Sequence, residues 1–155
     1  EGVFARLFNQ RQGSVTDDSF DLKLIYPDLN VTLKASVFVK EPGPRLQVHG
    51  TQGSFVKYGL DVQEAQLRKG KKPGSKGFGT EPASQRGILN TATFGKSFRG
   101  RYETLPGNYM AFFDNVHAVI TISAEAIVKP GDALLNIRII EAARNSTSQQ
   151  RIIQL

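Results

Sequence analysis

Residues Val48 to Glu64 read Val-His-Gly-Thr-Gln-Gly-Ser-Phe-Val-Lys-Tyr-Gly-Leu-Asp-Val-Gln-Glu, and this segment is the most informative part of the sequence. Its first half is typical of a β-hairpin, because apolar strand positions flank a Gly-Thr-Gln-Gly sequence whose glycines permit a tight turn. Its second half leaves the strand near Tyr58 and enters a polar segment. Loops positioned by a rigid scaffold often carry the chemistry of a protein, so we expect a functional site here.

The same stretch resembles a known family. The run Gly-Ser-Phe-x-Lys-Tyr-Gly-x-Asp-x-Gln-Glu, from Gly53 to Glu64, is similar to a run in the C-terminal domain of the Gfo/Idh/MocA oxidoreductases. That family includes glucose–fructose oxidoreductase and inositol dehydrogenase. The sequence Leu-Pro-Gly-Asn-Tyr at 105–109 and the segment 128–141 are further similar blocks, so the resemblance covers almost the whole chain. It is specific for the family and not for a substrate.

The resemblance implies a division of labour between two domains. In such oxidoreductases an N-terminal Rossmann domain binds NAD or NADP and carries a Glu-Lys-Pro motif whose lysine transfers a proton, and a histidine and an aspartate lie on a following helix. This chain has neither element. The resemblance therefore implies that residues 1–155 form a single C-terminal substrate and oligomerisation domain, that the Rossmann domain is absent from this chain, and that the chain alone is inactive.

Composition sets independent bounds. The chain has 155 residues, of which 39% are hydrophobic and 22% charged, as expected for about one globular domain. It contains no cysteine, which excludes disulfides and thiolate metal sites. No apolar run of about 18 residues occurs and the first residues do not read as a signal peptide, so we expect a cytoplasmic protein with no membrane partner.

The net charge of +6 is concentrated in the segment Arg68-Lys69-Gly70-Lys71-Lys72-Pro73-Gly74-Ser75-Lys76. A contact with nucleic acid or with a cofactor phosphate from a partner domain is one interpretation. Glycines and prolines interrupt the charges and no aromatic residue alternates with them, which favours a solvated loop. We therefore expect no nucleic-acid partner.

The N-terminal part of the sequence predicts strands. Residues 3–8, 19–26 and 31–40 show strand-like patterns, and in the second of these Phe20, Leu22 and Leu24 alternate with Asp21 and Lys23. Together with the hairpin they predict a meander of about five antiparallel strands, a type of sheet that can leave one face uncovered.

The rest of the chain predicts helices and one irregular segment. A short helix is expected over 61–68, residues 69–87 show no period, and 91–104 returns to strand-like spacing at Phe94, Phe98 and Tyr102, with bends at two glycines. Asn108 is expected to cap a helix with an apolar stripe, and Pro130 and Asp132 to start another, before an edge strand over 151–155. The predicted fold class is α+β: an open, largely antiparallel sheet with helices packed on one face and the other face free for dimerisation. The predicted apolar stripe of the first helix consists of Tyr109, Phe112, Phe113, Val116 and Ile120, and that of the second of Ala133, Leu134, Ile137 and Ile140.

Motifs for independent catalysis are missing from the sequence. The glycine cluster at 74–79 lacks the βαβ frame of a dinucleotide site. The two histidines, His49 and His117, lie far apart without a carboxylate spaced to orient them, and clustered metal ligands are absent. We expect no catalytic, cofactor-binding or metal-binding residue in this chain.

Candidate substrate-pocket residues follow the hairpin: Lys57, Tyr58, Asp61 and Gln63. Tyr58 and Lys57 can donate hydrogen bonds to a polyol, or Tyr58 is half in the core with Lys57 extended to water. Asp61 and Glu64, three residues apart, can bind sugar hydroxyls or hold Lys57, or they stabilise the start of a helix.

The uncovered sheet face supplies the interface candidates, which are Lys23, Ile25, Lys34, Ser36 and Phe38. Lys23 and Lys34 are expected near each other across a hairpin, and Asp21 of one subunit is expected to meet a lysine of another. Members of the family commonly join in this way, so the resemblance implies a homodimer or higher homo-oligomer.

The leading functional hypothesis is the C-terminal domain of an NAD(P)-dependent oxidoreductase acting on a sugar, inositol or similar polyol. The alternative, from another class, is a non-catalytic binding or scaffolding module that self-associates through its sheet. A Rossmann fingerprint upstream in the gene would decide between the two.

Overall fold

The structure, a computed structural model, describes residues 1–93 and 95–155. Two antiparallel sheets and three helices confirm the α+β class. The elements in chain order are β1 (Gly2–Phe8), β2 (Ser19–Ile25), β3 (Asn30–Ser36), β4 (Leu46–Gly50), β5 (Gly53–Lys57), α1 (Gln63–Arg68), a 3₁₀ turn (Ala83–Gln85), β6 (Gly87–Thr93), β7 (Lys96–Tyr102), α2 (Met110–Ile122), α3 (Pro130–Gln149) and β8 (Ile153–Gln154). They form two compact units, one of Glu1–Lys40 with Val128–Leu155 and one of Glu41–Ile127.

The first unit contains a sheet with the strand order β3-β2-β1-β8 and the helix α3. Ala5 pairs with Leu22 and Leu22 with Leu33, whereas Phe4 pairs with Lys23 and Lys23 with Thr32. These two sets lie on opposite faces, as the alternation in the sequence predicts. The buried core lies on the first face and consists of Val3, Ala5, Leu22, Ala142 and Ala143.

Helix α3 closes the edge of β1 as well as covering its face. The last strand, β8, pairs only with Gly2 and Val3, which leaves the rest of that edge without a strand partner. There the Ala5 N–H donates to Ser146 Oγ at 3.0 Å and the Leu7 N–H donates to Thr147 Oγ1 at 3.2 Å. Side chains of the helix thus satisfy the backbone groups that the short strand does not reach.

The second unit contains a sheet with the strand order β4-β5-β6-β7. The hairpin of β4 and β5 lies where the sequence predicts it, with Leu46 paired to Lys57 and Gly50 to Gly53. The strand-like segment predicted over 91–104 is instead the end of a second hairpin, because β6 begins at Gly87 and pairs with β7. Gly95 lies in the turn of that hairpin, Gly100 is an ordinary member of β7, and the predicted strand position Phe94 lies outside the described residues.

The predicted single meander is wrong in one respect, since β3 and β4 belong to different sheets. Strand β3 ends at Ser36, four residues earlier than predicted, and Phe38 lies in the turn that follows. The sequence Glu-Pro-Gly-Pro at 41–44 then lies outside any strand, as expected of residues that cannot donate to a ladder or that weaken one.

The helices begin near their predicted positions, but their buried faces differ. Asn108 Oδ1 accepts from the Ala111 N–H at 3.2 Å, which is a capping contact, and α3 begins at Pro130 as predicted. The structure buries none of the residues of α2, so its predicted apolar stripe is exposed in the part of the chain described. In α3 the buried residues are small ones near the end, Ala142, Ala143 and Ser146, instead of Leu134, Ile137 and Ile140. Small side chains allow the helix to approach β1 closely, and the lack of a side chain at Gly2 allows the same of the chain around β8, because a Cβ there would lie 2.7 Å from Ile152 Cγ2.

Candidate functional site

A groove in the second unit lies between the segment that follows β5 and one face of the sheet. Its volume is about 660 Å³, within the range of small-molecule sites. Val56 and Ile88 form an apolar floor, because the strand register places them side by side on one face. The polar residues of the lining are Tyr58, Asp61, Ser84, Gln85, Arg86 and Arg101.

One wall of the groove is the 3₁₀ turn with the residue after it, Arg86. Arg101 pairs with Ile88 across β6 and β7, so its side chain stands on the same face as the floor. Its Nη1 donates to the carbonyl oxygens of Ser84 at 2.7 Å and Arg86 at 3.1 Å. A strand residue thus ties an irregular segment to the sheet, which fixes that wall.

Arg86 brings a second guanidinium to the groove. Its Nη2 lies 3.0 Å from Glu103 Oε1, in an ion pair whose glutamate side chain is 68% exposed. Its Nε is the one buried side-chain nitrogen or oxygen without a hydrogen-bond partner among the described residues. Exposed ion pairs add little to the free energy of unfolding, whereas a buried N–H donor without a hydrogen-bond partner lowers it.

The opposite wall is held by Gln63, which is 1% exposed. Asp61 Oδ1 accepts from the Gln63 N–H at 2.8 Å, and Asp61 Oδ2 accepts from Gln63 Nε2 at 3.0 Å. Gln63 Oε1 in turn accepts from the Tyr109 N–H at 2.8 Å. The helix therefore starts at Gln63, two residues later than predicted, with Val62 as its N-cap residue and Asp61 accepting from the first helical N–H.

Gly107 completes this junction because nothing larger fits. A Cβ at Gly107 would overlap Asp61 Oδ2 and Gln63 Nε2. The Gly107 N–H donates to the Gly79 carbonyl at 3.1 Å, and a Cβ at Gly79, whose φ is +76°, would overlap the Gly107 carbonyl oxygen. Gln66 Oε1 accepts from the Gly79 N–H at 2.8 Å, so the irregular segment 69–87 is anchored to α1.

A partly buried ion pair supports the 3₁₀ turn from beneath. Lys57 Nζ bonds to Glu81 Oε2 and donates to the Gln85 carbonyl at 3.2 Å, while Thr104 Oγ1 donates to Glu81 Oε1 at 2.6 Å. The side chains of Lys57 and Glu81 are 18% and 12% exposed. Burial raises the pKa of the Glu81 carboxyl, but the hydrogen bonds from Lys57 and Thr104 and the nearby positive charges outweigh it, so the pKa lies below its ordinary value of 4.5.

The four sequence-predicted pocket residues thus divide into two pairs. Tyr58 and Asp61 line the groove, and Tyr58 is 59% exposed. Lys57 and Gln63 do not line it but hold the two walls. Of the alternatives for Asp61 and Glu64, a contact with Lys57 is not formed, because Lys57 pairs with Glu81 and Glu64 pairs with Arg68. Their role in substrate binding stays a prediction.

Sequence reasoning missed Arg86 and Arg101. The signal available was the alternation of Arg99 and Arg101 with Phe98 and Tyr102, which marks two arginines on one face of a strand. The sequence did not reveal what packs against that face, because the 3₁₀ turn and Arg86 belong to the segment 69–87, which shows no periodicity.

The histidines and the basic segment stand apart from the groove. His49 Nδ1 lies 2.9 Å from Ser54 Oγ on the β4–β5 hairpin, and His117 is exposed on α2. Within the described residues no group of three histidine, cysteine or acidic side chains lies close enough to hold a metal ion. No helix among the described residues has the length and apolarity to cross a membrane.

The interface candidates share a sheet face with one exception. Lys23, Ile25, Lys34 and Ser36 lie on the face of β2 and β3 opposite the core, and Phe38 lies beyond the strand end. Lys34 already has a carboxylate partner within its own chain, because its Nζ lies 2.7 Å from Asp21 Oδ2. Lys23 lies opposite Thr32 and is therefore the diagonal neighbour of Lys34 on the same face, which confirms the expected proximity of the two lysines.

Comparisons with known proteins agree with this architecture. A family model described as "Oxidoreductase family, C-terminal alpha/beta domain" matches residues 3–155. Scyllo-inositol 2-dehydrogenase (NADP(+)) IolW of Bacillus subtilis is 35% identical over 100% of this chain and 43% of its own length. The uncharacterised oxidoreductase YhhX of Escherichia coli is 34% identical over 88% of this chain and 39% of its own.

Solved structures show the same fold. The proposed oxidoreductase YvaA of Bacillus subtilis superposes with a TM-score of 0.93 at 34% identity, covering 100% of this chain and 45% of that one. An oxidoreductase of Bacillus cereus gives a TM-score of 0.86 at 33% identity, covering 99% of this chain and 46% of that one. The chain therefore spans less than half the length of the relatives it matches.

Proposed function

The chain belongs to the Gfo/Idh/MocA oxidoreductases, matching their C-terminal domain, and from this premise we propose that it binds the substrate and mediates dimerisation in a longer, cytoplasmic, NAD- or NADP-dependent enzyme. The substrate is a sugar, an inositol or a similar polyol. The similar protein IolW is named as an NADP-dependent scyllo-inositol dehydrogenase, which supports both the cofactor type and the substrate class of this proposal.

The observation that carries the substrate role is the composition of the groove. Tyr58 is exposed at its mouth, and Asp61 is held in place by two hydrogen bonds from Gln63. A phenol can donate to and accept from a hydroxyl group, and a carboxylate has further lone pairs that accept from hydroxyls. Fixed polar groups over an apolar floor are typical of sites that orient a small polar ligand.

In this proposal the cofactor carries out the chemistry and the groove positions the substrate. A nicotinamide cofactor supplies the hydride transfer, and we assign its binding to a Rossmann domain outside this chain. The residues of the groove orient the polyol and exclude water from one side of it. Holding the reacting carbon in a fixed position lowers the entropic part of the barrier, which is the contribution expected of such a domain.

The test is a substrate screen on the full-length enzyme with NAD and NADP, followed by Tyr58→Phe. Removing only the hydroxyl group is expected to lower kcat/KM about 3- to 10-fold, the effect of one lost neutral hydrogen bond. Tyr102→Phe is the matched control, because Tyr102 is 54% exposed and does not line the groove. Equal kinetics of Tyr58→Phe and wild type would argue against the assignment. Absence of turnover with every sugar and polyol would favour the scaffolding alternative.

The dimerisation role is proposed for the uncovered face of the first sheet. Helix α3 lies against β1 on the core face, so the face with Lys23, Ile25, Lys34 and Ser36 has no helix over it among the described residues of its unit. That face also exposes Phe4 and Phe8. A mixture of aromatic, aliphatic and charged side chains suits an interface with a polar share.

A further inference from the structure

The charged side chains on the strands of the second sheet are all positive. Strands β4 to β7 contain no aspartate or glutamate, but they contain Lys57, Lys96, Arg99 and Arg101. Lys57 is neutralised by Glu81 on the face away from the groove. Arg99 and Arg101 stand on the face that forms the groove floor, two residues apart on β7.

At the groove itself two guanidinium groups converge, since Arg86 and Arg101 both line it and Arg101 bonds to the Arg86 carbonyl. The contacts within the described chain use one nitrogen of each: Nη1 of Arg101 and Nη2 of Arg86. Each guanidinium carries five N–H donors and no acceptor. The nitrogens other than these two have no hydrogen-bond partner in the described part of the chain.

Carboxylates neutralise this end of the groove only in part, as far as the structure describes the chain. Asp61 lies at the opposite wall, where both of its oxygens accept from Gln63. Glu81 is near enough for the charge of Arg86 to lower its pKa, but it is paired with Lys57. Glu103 reaches Arg86, but it is 68% exposed and pairs with Nη2 alone, so Arg86 Nε remains buried without a partner. An exposed pair of this kind is weak and exchanges readily for a ligand anion.

We propose that the substrate of this groove is an anionic polyol, a sugar acid or sugar phosphate, whose carboxylate or phosphate is bound by Arg86 and Arg101. Tyr58 and Asp61 at the other wall bind its hydroxyl groups. The proposal rests on the proposed function and narrows it, since a neutral polyol would bring no anion to Arg101 and would leave Arg86 with only the exposed Glu103. The planar fork of arginine matches carboxylate and phosphate geometry and forms bidentate pairs with either.

Binding is tested first, without turnover, by calorimetric titration of the full-length protein with gluconate, glucose 6-phosphate and glucose. We expect the two anions to bind and Arg86→Gln to weaken them about tenfold or more, the effect of losing a charged hydrogen-bond partner. Arg99→Gln removes the same charge from the same face outside the groove lining and is expected to change affinity less than threefold at moderate salt. Equal weakening by both variants would show a non-specific charge effect and overturn the proposal.

A second variant separates ligand binding from internal pairing. Glu103→Gln removes the partner of Arg86 and keeps the arginine, so we expect anions to bind as tightly as in wild type or more tightly. Weakening by Glu103→Gln equal to that by Arg86→Gln would mean that the ion pair acts only on the structure of the wall, which overturns the proposal.

Turnover measurements then show whether the anion bound by the arginines belongs to the substrate or to the cofactor. With anionic and neutral substrates compared as kcat/KM, Arg86→Gln is expected to lower the value for the anion at least tenfold more than that for the neutral polyol. A change confined to the KM of NADP and absent with NAD would assign the arginines to a cofactor phosphate and overturn the proposal. Oxidation of neutral polyols with no anion preference would overturn it while leaving the proposed function intact, and anion binding without any polyol turnover would reject the proposed function itself.

Discussion

Lys57 shows how a residue of the family-specific run serves the groove without lining it. Its ammonium pairs with Glu81 and bonds to the Gln85 carbonyl, and so fixes the wall that carries Arg86. Lys57→Met leaves the Glu81 charge partly buried and uncompensated, and we expect a loss of about 1–3 kcal/mol in the free energy of unfolding. Urea denaturation measures it. Adding Glu81→Leu to the same protein is the control and should recover part of the loss, whereas no recovery would mean that the lysine acts in some other way.

Glu81 makes the same pair sensitive to acid. Its pKa is lowered in the folded protein because the bonds from Lys57 and Thr104 outweigh the effect of burial. The unfolded chain therefore binds a proton first as the pH falls. The stabilisation is present above the ordinary value of 4.5 and is lost as the pH falls through the folded pKa. Comparing Glu81→Gln with wild type at about pH 7 and about pH 3, we expect the difference in unfolding free energy to shrink at the lower pH. A difference that stays constant would contradict the assignment.

Gly107 is a residue whose lack of a side chain is required by its neighbours. Gly107→Ala would drive a Cβ into Asp61 and Gln63, and we expect a loss of about 1–3 kcal/mol of stability together with release of the Tyr109 N–H from Gln63. Amide exchange at Tyr109 and thermal unfolding measure both effects. Gly131→Ala is the matched control, because a Cβ there meets nothing within 4 Å and lies in the first turn of α3, where alanine is favoured. Equal melting temperatures of the two variants would contradict the crowding argument.

The pocket residues also show which part of a site a sequence can reveal. Tyr58 and Asp61 could be named as pocket candidates because polar residues that directly follow a strand need no distant partner to be noticed. The contacts of Lys57 and Gln63 could not be predicted, since their partners lie 24 and 46 positions away. Local patterns carry no information on such pairs.

Among the elements, β2 and β3 were predicted with their faces from period-two alternation, because one face of that sheet is buried. Strand β1 was predicted from its β-branched and aromatic residues alone. The start of the β6–β7 hairpin was missed, since the preceding segment is ordered by the Gln66 side chain and not by its own period. The predicted burial of the α2 stripe is not observed among its described residues, and in α3 small residues are buried in place of the predicted stripe.

The docking of α3 on β1 yields a prediction at this scale. Ser146 is fully buried, accepts from the Ala5 N–H and donates to the Arg151 carbonyl at 2.7 Å. Ser146→Ala leaves both backbone groups without their partner, and we expect a loss of about 1–3 kcal/mol. Exchange of the Ala5 amide should quicken in step with the measured loss. Ser148→Ala on the exposed side of the helix is the control, expected within about 0.5 kcal/mol of wild type.

At the scale of the whole molecule, the sequence predicted the α+β class and the family, because those depend on the order of strand and helix patterns and on one run of residues. The division of the strands into two sheets depended on where β3 stops. Val37 and Val39 continue the alternation past Ser36, so only the prolines that follow marked the break, and they allowed several endpoints.

The uncovered face of the first sheet is expected to be the interface between two subunits. Ile25 lies on it beside Gly2, and Phe4 and Lys23 are the next pair along the same face. If a two-fold contact buries this patch, the area should exceed about 1,000 Å², and a glutamate within it would be buried without a partner. We expect Ile25→Glu to raise the dimer dissociation constant of the full-length protein at least about tenfold, as measured by sedimentation equilibrium at micromolar concentration.

The control for this change is Val15→Glu. Val15 is 93% exposed in the connection between β1 and β2, away from the sheet face, so the same charge there should leave the dissociation constant unchanged. Phe38→Glu tests the turn beyond β3 and is expected to act more weakly than Ile25→Glu, because Phe38 no longer follows the strand. A monomeric wild type would reject the dimer. A dimer that tolerates Ile25→Glu would place the interface elsewhere, and the exposed apolar residues Leu46, Val48 and Phe98 on the second sheet would then be the next face to test.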